Sequence, residues 1–147
     1  MTNIALVYRR HGGPERLEEI ALPNPSLRPR TLLIQVTSIG LNPLDYRLLR
    51  GEMGPLARMN GPRLIGSDFA GHVIKVGPLV SGYAEGDRVF GMVNQVFSGT
   101  SAHRIVVNVR HLSRSPSALS DAVASTVPLA ALTAYQALHN IVQLGPE

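Results

Sequence analysis

Residues 64–92, LIGSDFAGHVIKVGPLVSGYAEGDRVFGM, decide the fold of this chain. The run 69–76 is apolar and reads as a strand, Gly77-Pro78 punctuates it, and Glu85-Gly86-Asp87 opens a second short strand over 87–92. Together they predict a β-hairpin-like core. Glycines at 66, 71, 77, 82 and 86 fall where a sheet must bend sharply or where another backbone must come close. That spacing suits a barrel with tight corners, and a helical protein would not tolerate it.

Working outward, residues 4–9 predict a first strand, His11-Gly12-Gly13-Pro14 a turn, and residues 17–22 a second strand ended by Pro23, Pro25 and Pro29. Residues 31–41, TLLIQVTSIGL, are rich in β-branched side chains and predict a strand with Leu32, Ile34, Val36 and Ser38 on one face. Asn42-Pro43 breaks it, and Pro43 starts a short helix that runs through Leu49 and stops at Gly51. Residues 52–63, which contain Gly54-Pro55 and Gly61-Pro62, predict a mobile loop. After the hairpin come a loop tip at 94–99 and a strand over 101–109. Ser120-Asp121 caps a helical turn through Ala124. Pro128 opens a longer helix whose residues Ala131, Ala134, Tyr135, Leu138, Ile141 and Val142 recur at helical spacing and predict a core-facing stripe, with Gly145-Pro146 as its stop. The whole reads as a mainly β chain of the α+β class, one domain over residues 1–147 without internal repeat or linker.

At 147 residues the chain can bury a sizeable core, roughly 68–70% of its unfolded surface. A hydrophobic content of 44% with 14 Gly and 11 Pro fits a folded, turn-rich, β-weighted domain. With no cysteine, disulfides and thiolate metal sites are excluded. The N-terminus lacks the apolar core of a signal peptide, and no run of about 18 apolar residues is present, so a cytoplasmic location and no membrane partner are expected. The net charge of +4 comes from arginines that are scattered apart from the Arg9-Arg10 pair, which describes a solvated surface and not a nucleic-acid interface.

The order of motifs resembles a known family. Gly66-x-x-x-Ala70-Gly71-x-Val73-x-x-Val76-Gly77 followed by Gly86-Asp87-Arg88-Val89-x-Gly91 is similar to the GroES-like catalytic domain of medium-chain dehydrogenases and reductases, within them the zinc-free quinone-oxidoreductase and enoyl-reductase branch. The resemblance implies a partly open, strongly twisted β-barrel with short helices and a C-terminal linker helix. Asn42-Pro43-Leu44-Asp45-Tyr46, closed by Arg50-Gly51, is similar to the segment that borders the nicotinamide and substrate cleft in that branch. By position, Asn42 would approach the cofactor amide, and Asp45 and Tyr46 would line the cleft as catalytic candidates, Tyr46 supplying a phenol to polarise or protonate the substrate. Without the resemblance, Asn42 and Asp45 read as caps of the short helix. Met53 stands near where enoyl reductases of the superfamily place a catalytic tyrosine, and it could line a substrate site but not donate a proton. Asp68 reads either as a buried, hydrogen-bonded carboxylate or as a substrate contact in the cleft. Residues 128–138 resemble the superfamily helix P-x-A-x-x-T-A-Y-x-A-L, in which the threonine touches the nicotinamide ring. Thr133 is therefore the expected cofactor contact, against the plain reading of a helical threonine bonding back to its own turn.

No metal site is expected. Zinc-dependent relatives carry a cysteine near Asp45 and Gly-His-Glu where this chain has Gly66-Ser67-Asp68, and the five histidines form no ligand pair. Complete relatives continue into a Rossmann domain with a glycine-rich phosphate loop, and no G-x-G-x-x-G occurs in these 147 residues. The expected function is thus the substrate-binding domain of a quinone or enone reductase that uses NADPH once completed, acting on a small carbonyl or quinone substrate. The alternative is a free-standing domain repurposed to bind a carbonyl-bearing ligand or to catalyse a non-redox cyclisation or proton transfer. Because the linker helix normally packs on the missing domain, a homodimer or partner chain is expected through residues 130–144. The chain alone is predicted to bind NADPH too weakly for use, and calorimetric titration giving low-micromolar affinity would overturn that.

Overall fold

The computed structural model describes residues 2–94 and 98–142, so the helix stop at Gly145-Pro146 and part of the predicted 94–99 tip lie outside the described residues. Strands β1 (Asn3–Tyr8), β2 (Glu18–Leu22), β3 (Thr31–Gly40), β4 (Arg63–Leu64), β5 (Asp68–Val76), β6 (Arg88–Met92), β7 (Arg104–Asn108) and β8 (Leu112–Arg114) follow in chain order. They form two antiparallel sheets, β2-β1-β4 and β7-β3-β5-β6-β8. The predicted hairpin is present, with β5 and β6 paired from Asp68 opposite Met92 to His72 opposite Arg88. The expected GroES-like architecture is the observed one, mainly β and partly open.

The sheets meet through the segment before β7. Leu6 N–H donates to Ser101 O at 2.8 Å, and His103 N–H donates to Ile4 O at 2.8 Å. Asn3 completes the join as a side-chain imitation of a strand residue, donating to Arg104 O at 3.1 Å and accepting from Arg104 N–H at 2.8 Å. Between the sheets, Val7, Leu32, Ile34, Phe69, Val73 and Val89 are buried in one cluster. A smaller cluster of Tyr8, Leu49 and Ile65 lies under helix α1 (Pro43–Arg50).

Along β3 the alternation predicted from sequence holds for Leu32 and Ile34 and then breaks. The register against β5 slips between Val36 and Ser38, leaving Thr37 as an extra residue. A bulge re-aims side chains, and here Thr37 and Ser38 both bond to helix α2 (Asp121–Ala124) or the serine that follows it. Residues 52–63 are more ordered than a plain loop, with a 3₁₀ turn at Gly54–Ala57 that buries Ala57 and with β4 at their end. The predicted strand 101–109 is shortened to β7, and a 3₁₀ turn at Val109–His111 leads into β8.

Helix α3 (Pro128–Gln136), prolonged by a π-helical turn at Ala137–Ile141, corrects the sequence reading most plainly. Its predicted core-facing stripe is exposed, with Tyr135 at 58% and Ile141 at 79%. Apolar residues lie around all of it, so the period that suggested a buried stripe marks no inward face.

Strand pairing here depends on missing side chains. A Cβ on Gly71 would collide with the Gln35 carbonyl oxygen of β3. Gly71→Ala is therefore expected to destabilise the fold by about 1–3 kcal/mol through overpacking, read from the shift of the urea unfolding midpoint.

Candidate active site

The short helix α1 starts where its local sequence says it should. Asn42 is its extended N-cap (φ −122°), Pro43 fills the first turn, and Gly51 closes it in the left-handed conformation (φ 80°). Asp45 accepts the Asn42 backbone N–H at 2.5 Å, the carboxylate half of a capping box. Its other oxygen accepts the Ser67 hydroxyl at 3.2 Å. The capping reading of Asp45 thus describes what the residue touches, and the side chain is 1% exposed.

Asp68, at the start of β5 and 0% exposed, joins three segments. Asn42 Nδ2 donates to Asp68 Oδ2 at 3.1 Å, and Leu129 N–H donates to both carboxylate oxygens at 3.2 and 3.1 Å. The second contact follows from how α3 begins. Val127 at its N-cap has no polar side chain and Pro128 has no N–H, so the orphan Leu129 N–H needs an acceptor from elsewhere. Thr100 Oγ1 donates to Asp68 O at 3.1 Å and packs against Gly66 (φ 88°), where any side chain would strike that hydroxyl.

Burial raises the Asp68 carboxyl above its ordinary value of 3.8, outweighing the Leu129 and Asn42 hydrogen bonds, and the neighbouring Asp45 charge adds to the rise. Asp45 is raised in the same way, desolvation exceeding its bonds to Asn42 and Ser67.

The other expected site residues lie outside this network. Tyr46 is 49% exposed, its ring 5.6 Å from the Arg50 guanidinium carbon. Met53 is half-buried just before the 3₁₀ turn. Thr133 is exposed one turn beyond Leu129, and among the described residues its hydroxyl has no hydrogen-bond partner, so it does not bond back to its own turn. The structure therefore brings together Asn42, Asp45 and Asp68, and it couples them to α3 through Leu129. Sequence reasoning missed Ser67, Thr100 and the Leu129 N–H. A helix opening Val-Pro without a capping side chain was the one available signal that an acceptor had to come from a distance. Also unforeseen is a groove of about 470 Å³ between α3 and the β6–β8 edge, lined by Met92, Leu112, Val127, Pro128, Leu132 and Tyr135.

Among the described residues, no group of three or more His, Cys, Asp or Glu could hold a metal ion, and no helix is long and apolar enough to cross a membrane. Residues 28–117 match the family described as the alcohol dehydrogenase GroES-like domain. The chain belongs to that family. This GroES-like domain is 31% identical over 133 residues to a chloroplastic quinone-oxidoreductase homolog of Spinacia oleracea, covering 90% of this chain and 40% of the relative. Among solved structures it is similar to the quinone oxidoreductase of Coxiella burnetii, with TM-score 0.87, 30% identity, and 95% and 45% of the two chains covered. An alcohol dehydrogenase superfamily protein from Novosphingobium aromaticivorans superposes with TM-score 0.89 and 36% identity, over 97% and 43% of the two chains. The domain spans less than half the length of these relatives.

A carboxyl raised in the folded state holds its proton more tightly than in the unfolded chain, so its contribution is complete below 3.8 and is lost as pH rises through the folded value. Unfolding free energy is expected to fall with rising pH above that point. Asp68→Asn, which keeps an acceptor for Leu129, should flatten the fall. Denaturant titrations at stepped pH check this, and an unchanged slope would remove Asp68 as the group responsible.

Proposed function

We propose that this GroES-like domain is the substrate-binding part of a zinc-independent, NAD(P)H-dependent oxidoreductase acting on quinones or α,β-unsaturated carbonyls. The observation that carries the reading is the Asp68 clamp, which ties Asn42 and the first turn of α3 to one buried carboxylate. The two residues assigned to the cofactor, Asn42 and Thr133, thereby belong to one rigid unit, and such preorganisation is what hydride transfer needs. Likeness to quinone oxidoreductases over nearly the whole chain supports it.

The Thr133 hydroxyl, exposed and without a hydrogen-bond partner among the described residues, fits a contact to a nicotinamide carboxamide. The nicotinamide supplies a hydride when bound, to the quinone or to the β-carbon of an enone. No glycine-rich loop for a pyrophosphate exists in the sequence, so in this reading the rest of a complete protein binds most of the dinucleotide. In this reading Tyr46, half-exposed on α1, donates a proton to the substrate oxygen, and Met53, half-buried, contributes to the substrate site. Asp45 and Asp68, buried and with their oxygens occupied, act by holding Asn42 and α3 in place. The exposed Leu132, Tyr135, Leu138, Ile141 and Val142 support association through this helix, with a second copy or with another domain.

The test is NADPH oxidation by the complete protein with 1,4-benzoquinone or an enone as acceptor, with and without EDTA. Turnover insensitive to EDTA is expected. Thr133→Ala should raise KM for NADPH about tenfold, the worth of one hydrogen bond of about 1.4 kcal/mol. Turnover abolished by the chelator would overturn zinc independence, and none with either acceptor would overturn the reductase reading.

A further inference from the structure

Among the described residues of α3 only Pro128 is buried, so packing along its length does little to fix its direction. That direction is set where the helix leaves the body, over residues 119–129. One end of this segment is the Asp68–Leu129 bond already described. At the other end stands Asp121, on α2, whose carboxylate faces three neighbouring strands at once. Thr37 of β3 donates to Oδ2 at 2.6 Å. Arg88 of β6 donates to Oδ1 from Nη2 at 2.6 Å and from Nε at 3.1 Å. His72 of β5 lies 3.5 Å from Oδ2. Arg88 Nη2 also donates to Leu119 O at 2.8 Å, which fixes the chain just before α2.

Between the two ends there is no slack. Ser125 bonds Ser38 at 2.9 Å through its hydroxyl, and its carbonyl oxygen occupies the space that a Cβ on Gly40 would need. Burial acts to raise the Asp121 carboxyl, but the Thr37 hydroxyl and the Arg88 guanidinium, with His72 adding, hold it below its ordinary value. The arrangement is that of a charged anchor and not of an idle surface carboxylate.

We propose that Asp121 is a positioning residue: through α2 and the 119–129 segment its carboxylate sets the direction of α3, and with it the place of Thr133. The part concerning Thr133 rests on the reductase reading, whereas the anchoring of α3 does not.

The chain has no cysteine, so a Lys75→Cys/Asn140→Cys pair, on exposed sites of β5 and the π-helical turn, carries spin labels at those places alone. Double electron–electron resonance on the full chain is expected to give one narrow distance distribution, at least twice as broad in Asp121→Ala. An unchanged width in a folded variant, or a parent distribution already that broad, would overturn the anchor. Should Asp121→Ala fail to fold, Thr37→Val removes a single bond to the carboxylate and should broaden the distribution less, while no broadening overturns the proposal. In the complete reductase, Asp121→Ala should raise KM for NADPH at least tenfold with kcat changed less than threefold. A broadened helix with unchanged KM would sever Asp121 from Thr133. If the parent protein turns over neither quinone nor enone, the reductase reading falls and the distance measurement still decides the anchor.

Discussion

Asp68 is fully buried, its carboxylate accepting from Asn42 and from Leu129 N–H while its backbone carbonyl accepts from Thr100. Taking a carboxylate out of water costs several kcal/mol unless donors replace the lost hydration. Here the donors are the Asn42 amide and the orphan N–H of α3, so the helix that cannot cap itself and the charge that cannot stand alone satisfy each other. The Asp68 side chain in this way locks the end of β3, the start of β5 and the first turn of α3 into one arrangement. The raised carboxyl of Asp68 records the cost that remains.

Around that joint the sheet supplies rigidity through close approach. Gly71 lies against Gln35 O, Gly40 against Ser125 O, and Gly91 against His111 O, each without room for a side chain. Glycine also has to adopt a backbone closed to other residues at Gly51 and Gly66, where φ is 80° and 88°. These contacts bring β3, β5 and β6 to the spacing at which their side chains can converge on α2. The bulge at Thr37 then turns one residue of β3 toward a partner it would otherwise face away from.

The family's likeness to quinone oxidoreductases and the geometry of the joint address different questions. Likeness gives the fold and the class of chemistry in the relatives. Geometry separates buried residues that hold from residues that are exposed: Asp45 and Asp68 hold, while Tyr46 and Thr133 are exposed. Both carboxylates would look equally reactive in a one-dimensional motif.

Much of the fold was legible in the chain because its signals are local. Asn42, Pro43 and Gly51 bound α1, Ser120 caps α2, and the glycine-punctuated run of 64–92 builds the β5–β6 hairpin, each through contacts between residues near in sequence. β8 was not legible, since three residues are too few to show an alternation. Nor did the periodicity of α3 show its exposure, which only the family resemblance implied, because a helix apolar on every side carries no mark of which way is in. The sequence by itself determined the strands, the caps, the family motifs and the absence of thiolate ligands. Only the tertiary structure decided that Asp68 meets Leu129 across 61 residues and that Asp121 meets Thr37 across 84. The donor in the first case is a backbone N–H that every residue but proline possesses, and in the second a bulge aims the hydroxyl, so neither partner is written in the side chains that a sequence displays.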